Sequence, residues 1–126
     1  MTKFLDSNVI IYAFTEHENS NRCREALIKE QLATDTVVLL EAYAKLETIS
    51  NKQHAEKTAQ ALLRMSNLTI TDFDRNLYFE AVKRNKKYAL KISDLIHYTA
   101  ALLSNCQSIL SYDNHFDGLE IKREEA

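Results

Sequence analysis

Short apolar runs punctuate the chain at Lys3-Phe4-Leu5, Thr36-Val37-Val38-Leu39, Leu68-Thr69-Ile70 and Ser108-Ile109-Leu110, with a further edge piece at Leu119-Glu120-Ile121. Each has the length and flanks of a buried strand. Between them the apolar residues adopt helical spacing. Ala26, Leu27 and Ala33 fall on one such stretch, Leu46 and Ile49 on a second, and Ala59, Leu62 and Leu63 on a third. A fourth helix is predicted from about Phe73 to Tyr88, with Leu77, Ala81 and Tyr88 on one side. A fifth runs from Asp94 through Ile96, Ala100 and Leu103. Strands alternating with helices predict an α/β fold, a mainly parallel sheet covered on both faces. Sites in open sheets of this kind gather outside the carboxyl ends of the strands.

That rule gives meaning to the acids that follow the apolar runs. Asp6 comes directly after Phe4-Leu5, and Ser7-Asn8 then supply cap-type side chains before Val9-Ile10-Ile11 turns helical. Asp113 repeats the arrangement after Ser108-Ile109-Leu110, with Ser111 two residues earlier as a hydroxyl donor. Glu41 follows Val37-Val38-Leu39-Leu40, and Asp94 heads an amphipathic helix where negative charge suits the dipole. Taken singly, each has an ordinary structural role: an N-cap for Asp6, an Asx-turn for Asp113, a dipole partner for Asp94, and a helical ion pair with Lys45 for Glu41. Taken together, they converge at one edge of a parallel sheet. Clustered carboxylates repel, and a hard divalent cation relieves the repulsion. An all-oxygen set favours Mg²⁺ or Mn²⁺ over zinc.

Composition narrows the alternatives. With 126 residues the chain is a single domain, residues 1–126, large enough for its own core. One glycine in the whole chain excludes both the dinucleotide fingerprint and the phosphate loop, which need several. The two cysteines, Cys23 and Cys106, are too far apart for a CxxC pair and read as small hydrophobes in a reducing compartment. No apolar run is long enough for a bilayer, and Met-Thr-Lys-Phe opens no signal sequence, so a cytoplasmic location without membrane association is expected. The net charge of −2 means that nucleic-acid binding has to come from a local patch or a metal.

In order, "FLDSNVIIYAF", "VVLLEAYAKL", "KISDLIHYTAAL" and "SILSYDNHF" resemble the four acidic motifs of the PIN-domain family, and in particular the VapC-type toxins of toxin–antitoxin pairs. The resemblance covers nearly the whole chain. It implies a three-layer α/β/α fold and metal-dependent hydrolysis of RNA phosphodiester bonds. Asp6, Glu41, Asp94 and Asp113 match the metal-binding and catalytic acids, and Ser111 the hydroxyl residue beside them; Asn8 and Asp117 are auxiliary positions. Asp6, Asp94 and Asp113 would be ligands of Mg²⁺ or Mn²⁺, and Glu41 a ligand or a base orienting the attacking water. A homodimer and a small antitoxin protein are the implied partners. The sequence departs from the family pattern at His97 and Tyr98, where small or aliphatic residues are common, and at Asn105-Cys106-Gln107, which replaces a glycine-containing turn.

Other residues complete the picture. "KRNKKYALK" concentrates Lys83, Arg84, Lys86, Lys87 and Lys91 just before Asp94, a solvated face that is also a candidate RNA-backbone contact. His97 lies one turn beyond Asp94 on the same helical face. Because a hard-cation site needs no imidazole, it reads as a partly buried structural histidine. His17, His54 and His115 show no ligand spacing. A phosphoacceptor receiver would need a lysine-proline pair, and the chain has no proline. A haloacid-dehalogenase-like phosphatase would need Asp-x-Asp where Asp6-Ser7-Asn8 stands. The remaining rival is a non-catalytic PIN-like RNA-binding or assembly module, against which the presence of all four acids argues.

Overall fold

The computed structural model describes residues 1–126. Its centre is a five-stranded sheet, parallel throughout, formed by β1 (Thr2–Leu5), β2 (Gln31–Asp35), β3 (Leu68–Thr71), β4 (Ser108–Leu110) and β5 (Lys122–Glu124) in the order β3-β2-β1-β4-β5. Helices α1 (Ser7–Ala13) and α2 (Ser20–Lys29) connect β1 to β2; α3 (Thr36–Ile49) and α4 (Lys52–Arg64) connect β2 to β3. Helices α5 (Arg75–Lys83) and α6 (Ile92–Leu103) return the chain to β4, and a 3₁₀ turn at Asn114–Phe116 precedes β5. The first two crossovers advance across the sheet in one direction and the third goes back. Right-handed connections therefore set them on opposite faces, giving three layers. The strand order reverses at β1 and β4, the position where a crevice opens beyond the carboxyl ends.

Hydrophobic burial accounts for the sheet. Phe4, Leu5, Leu32, Ile109 and Leu110 are buried in one continuous core with Val9 and Ile10 of α1, Leu77 of α5 and Leu95, Tyr98 and Ala101 of α6. A strand covered on both faces needs apolar residues in succession, and β1 and β4 supply them. The expected strands at Lys3–Leu5, Leu68–Ile70 and Ser108–Leu110 are present. Asn105 takes a left-handed conformation (φ 54°) just past the end of α6, serving where a glycine usually does because its short polar side chain tolerates that region.

Several expected boundaries are corrected. Thr36–Leu39 is the opening of α3, and the strand lies one segment earlier, at Gln31–Asp35, so Ala33 belongs to a strand and not to a helix. The cause is capping. Asp35 accepts a hydrogen bond from the Val38 N–H at 2.8 Å, and Val38, Ala42 and Leu46 then recur every four residues on the buried side. Glu41 therefore sits within a helix and not at a strand end. The edge piece expected at Leu119–Ile121 forms as β5 at Lys122–Glu124, with Ile121 buried just before it. The fourth predicted helix is shorter, Arg75–Lys83, starting at the Asp74 cap and giving way to a turn where the basic run begins.

Candidate functional site

The crevice beyond β1 and β4 is built around Ser111. Asp6 caps α1 with Oδ1 on the Ser7 N–H at 2.8 Å, while Oδ2 receives the Ser111 hydroxyl at 2.6 Å. The same Ser111 oxygen accepts the Asp113 N–H at 3.0 Å and the Asn8 amide at 3.3 Å, and Asn8 in turn accepts the Tyr112 N–H at 3.1 Å. One buried hydroxyl thus joins the acid after β1 to the turn after β4 and fixes the orientation of both. Asp6 is only 6 % exposed. Burial pushes its carboxyl above the ordinary value, against the lowering effects of the Ser111 hydroxyl, the His97 charge and the Ser7 N–H, while Glu41 adds a further upward push.

Glu41 reaches the same crevice from α3, and His97 of α6 holds it there. His97 donates from Nε2 to Glu41 Oε1 at 2.8 Å and from Nδ1 to Asp35 Oδ2 at 2.7 Å. Two carboxylates accepting from one ring require both nitrogens to carry protons. Burial alone would lower the imidazole pKa, but its hydrogen bonds to Asp35 and Glu41, and their charges, raise it to about 10. Asp6, Glu41 and His97 form one group of adjacent ligand-type atoms. With both nitrogens engaged, His97 has no free lone pair for an ion.

A second group lies alongside. Asp94, in the first turn of α6, Asp113 and His115 bring their ligand-type atoms within 4.8 Å of one another. Asp113 Oδ1 caps the 3₁₀ turn through the His115 N–H at 2.9 Å. Asp94 Oδ2 is buried and accepts no hydrogen bond. Such an atom carries an uncompensated desolvation cost, and a bound cation removes it. The paired carboxylates are donors that suit a divalent cation.

The four predicted acids thus fall into two pairs, Asp6 with Glu41 and Asp94 with Asp113, and Ser111 links the Asp6 carboxylate to the Asp113 backbone. Asp117 is held by Arg123 through Nε at 2.6 Å and Nη2 at 3.4 Å, and the same guanidinium donates from Nη1 to the Ser111 carbonyl at 3.0 Å. The basic run is largely paired, Lys83 and Arg84 with Glu80 and Lys87 with Glu120, each at 3.0 Å. Lys86 and Lys91 have no such partner, and Lys91 lines the opening beside Asp94 and His115. Sequence reasoning missed Asp35 and His115. The cap-type stretch Thr34-Asp35-Thr36 ahead of four-residue apolar spacing was the available signal for the first; His115 had none beyond its place two residues after Asp113.

The PIN-domain family model matches residues 3–122. This chain is a PIN domain. Solved structures similar to it include the sarcin–ricin-loop-cleaving toxin VapC20 of Mycobacterium tuberculosis, at 13 % identity and a TM-score of 0.82 over 100 % of both chains. A toxin–antitoxin complex from Klebsiella pneumoniae aligns at 18 % identity and a TM-score of 0.71, covering 94 % of this PIN domain and 92 % of that chain. VapBC2 from Rickettsia felis, bound to a fragment of its promoter DNA, aligns at 20 % identity and a TM-score of 0.71, covering 99 % and 98 %. No curated protein sequence is a match. No helix of this PIN domain is long and apolar enough to cross a membrane.

Proposed function

We propose that this PIN domain is a metal-dependent endoribonuclease, the toxin of a toxin–antitoxin pair acting in the cytoplasm, that hydrolyses RNA phosphodiester bonds. The observation that carries this reading is the buried, donorless Oδ2 of Asp94 among clustered carboxylates. Asp6, Asp94 and Asp113 would hold Mg²⁺ or Mn²⁺, with Glu41 completing the acidic wall. When bound, such an ion lowers the pKa of a water and offsets the charge that grows on the phosphate.

The protein supplies orientation. Ser111 fixes Asp6 and the Asp113 turn together, so the two acids cannot drift apart. Asp35, itself held by the Val38 N–H, anchors His97, and His97 fixes Glu41 by Oε1, leaving Oε2 to accept from water. No side-chain nucleophile is required. Lys91 offers positive charge to the RNA backbone at the opening beside Asp94, and Lys86 is a further unpaired cation of the same basic run. The fold likeness to toxins and toxin–antitoxin complexes supports an antitoxin partner.

Incubating the purified protein with total RNA and Mn²⁺, then sequencing the new ends, tests the proposal. The expected result is cleavage at discrete positions that EDTA stops and Asp6→Asn removes. Intact RNA under saturating Mn²⁺ and Mg²⁺ would leave only a non-catalytic RNA-binding module.

A further inference from the structure

The two histidines of the crevice are not equivalent. His97 spends both ring nitrogens on carboxylates, whereas His115 places Nδ1 3.1 Å from Asp113 Oδ1 and 3.3 Å from Asp94 Oδ2 without aligning for a hydrogen bond with the Asp94 oxygen. Those separations suit a shared ion. Neighbouring ligands of an octahedral cation at about 2.1 Å stand about 3 Å apart along the edge of the octahedron. His115 is also 58 % exposed and borders an opening with Lys91, so an ion has a path in.

We propose that His115 joins Asp94 and Asp113 as a nitrogen ligand, so that this position accepts imidazole-tolerant divalent ions such as Mn²⁺ in preference to Mg²⁺. The inference rests on the reading of these acids as metal ligands and adds a ligand and a selectivity to it. Mg²⁺ keeps to oxygen donors and gives up its waters reluctantly, whereas first-row transition ions accept imidazole readily. The buried Asp94 oxygen fixes one corner of the site, and the 3₁₀ turn capped by Asp113 fixes the histidine that follows it.

The test uses metal alone. Mn²⁺ and Mg²⁺ are titrated calorimetrically into wild type, His115→Gln and His97→Gln, and pulsed electron paramagnetic resonance reads nitrogen coupling on the bound Mn²⁺. The expected result is ¹⁴N coupling in wild type and His97→Gln that is lost in His115→Gln. Mn²⁺ affinity should fall about tenfold in His115→Gln, with Mg²⁺ affinity held within about twofold. Saturable Mn²⁺ binding without nitrogen coupling, or with unchanged affinity in His115→Gln, overturns the inference and leaves an oxygen-only cation site. Absence of binding by either ion overturns the inference together with the metal reading beneath it.

Discussion

The two acidic groups in the crevice use the same residue types in opposite ways. In the Asp35–His97–Glu41 chain the ring is enclosed, each of its nitrogens has a carboxylate partner, and Asp35 also caps α3. In the Asp94–Asp113–His115 group a buried oxygen accepts no hydrogen bond, with only the His115 Nδ1 at 3.3 Å, and the ring is open to solvent. The first arrangement satisfies itself within the protein; the second leaves a buried carboxylate oxygen without a hydrogen bond. A closed chain of hydrogen bonds is suited to hold a neighbouring group still, and an under-satisfied one to bind. Ser111 ties Asp6 to the turn that carries Asp113.

The largest expected effects fall on cleavage. Asp94→Asn should lower RNA cleavage at least about 100-fold, as loss of a metal ligand does. The same change should raise the melting temperature of the metal-free protein, by roughly 4 °C per kcal/mol of relieved repulsion. A fall in that temperature would make Asp94 chiefly a helix-dipole partner and would dissolve the contrast between the two groups.

His97→Ala should act in the opposite direction. It leaves Asp35 buried and unpaired, a loss of about 3–5 kcal/mol in denaturant unfolding. An unfolding free energy within experimental error of wild type would show that the enclosed chain is not a structural element.

The same chain predicts a pH dependence. The folded His97 pKa of about 10 lies above its ordinary value of 6.5. Its contribution to stability is therefore complete below pH ~6.5 and is lost as pH rises toward 10. Thermal melts of the metal-free protein should show wild type losing stability relative to His97→Gln across that window. Parallel curves would mean that the ring is neutral in the fold.

The smallest effect concerns RNA affinity. Lys91→Glu should weaken binding and reduce the salt slope by about 1, whereas Lys87→Glu, already paired with Glu120, should change the slope less. Equal slopes in both variants would remove Lys91 from the RNA path.

Much of this was legible in the sequence, for identifiable reasons. Strands β1 and β4 close on apolar pairs, Phe4-Leu5 and Ile109-Leu110, with an acid one and three residues later, so Asp6 and Asp113 could be placed at a sheet edge from pattern alone. Helix α6 announces itself by period, and Asp94 with it. The stretch beginning Thr36-Val37-Val38 misled because β-branched residues favour strands, while the Asp35 cap and the core contacts of Val38, Ala42 and Leu46 override that preference. Glu41 was recognised by its motif and given the wrong element. Asp35, Glu41 and His97 come together only in three dimensions: the His97 bonds span 62 and 56 positions, beyond any local spacing rule.

The central claim is that the crevice traps a divalent cation between Asp6, Asp94 and Asp113. Crystals soaked in Mn²⁺ and measured at the manganese absorption edge test it most directly. The account predicts an anomalous peak within ligand distance of the Asp94 and Asp113 carboxylates. Well-ordered crystals at saturating Mn²⁺ with no peak in the crevice would contradict it.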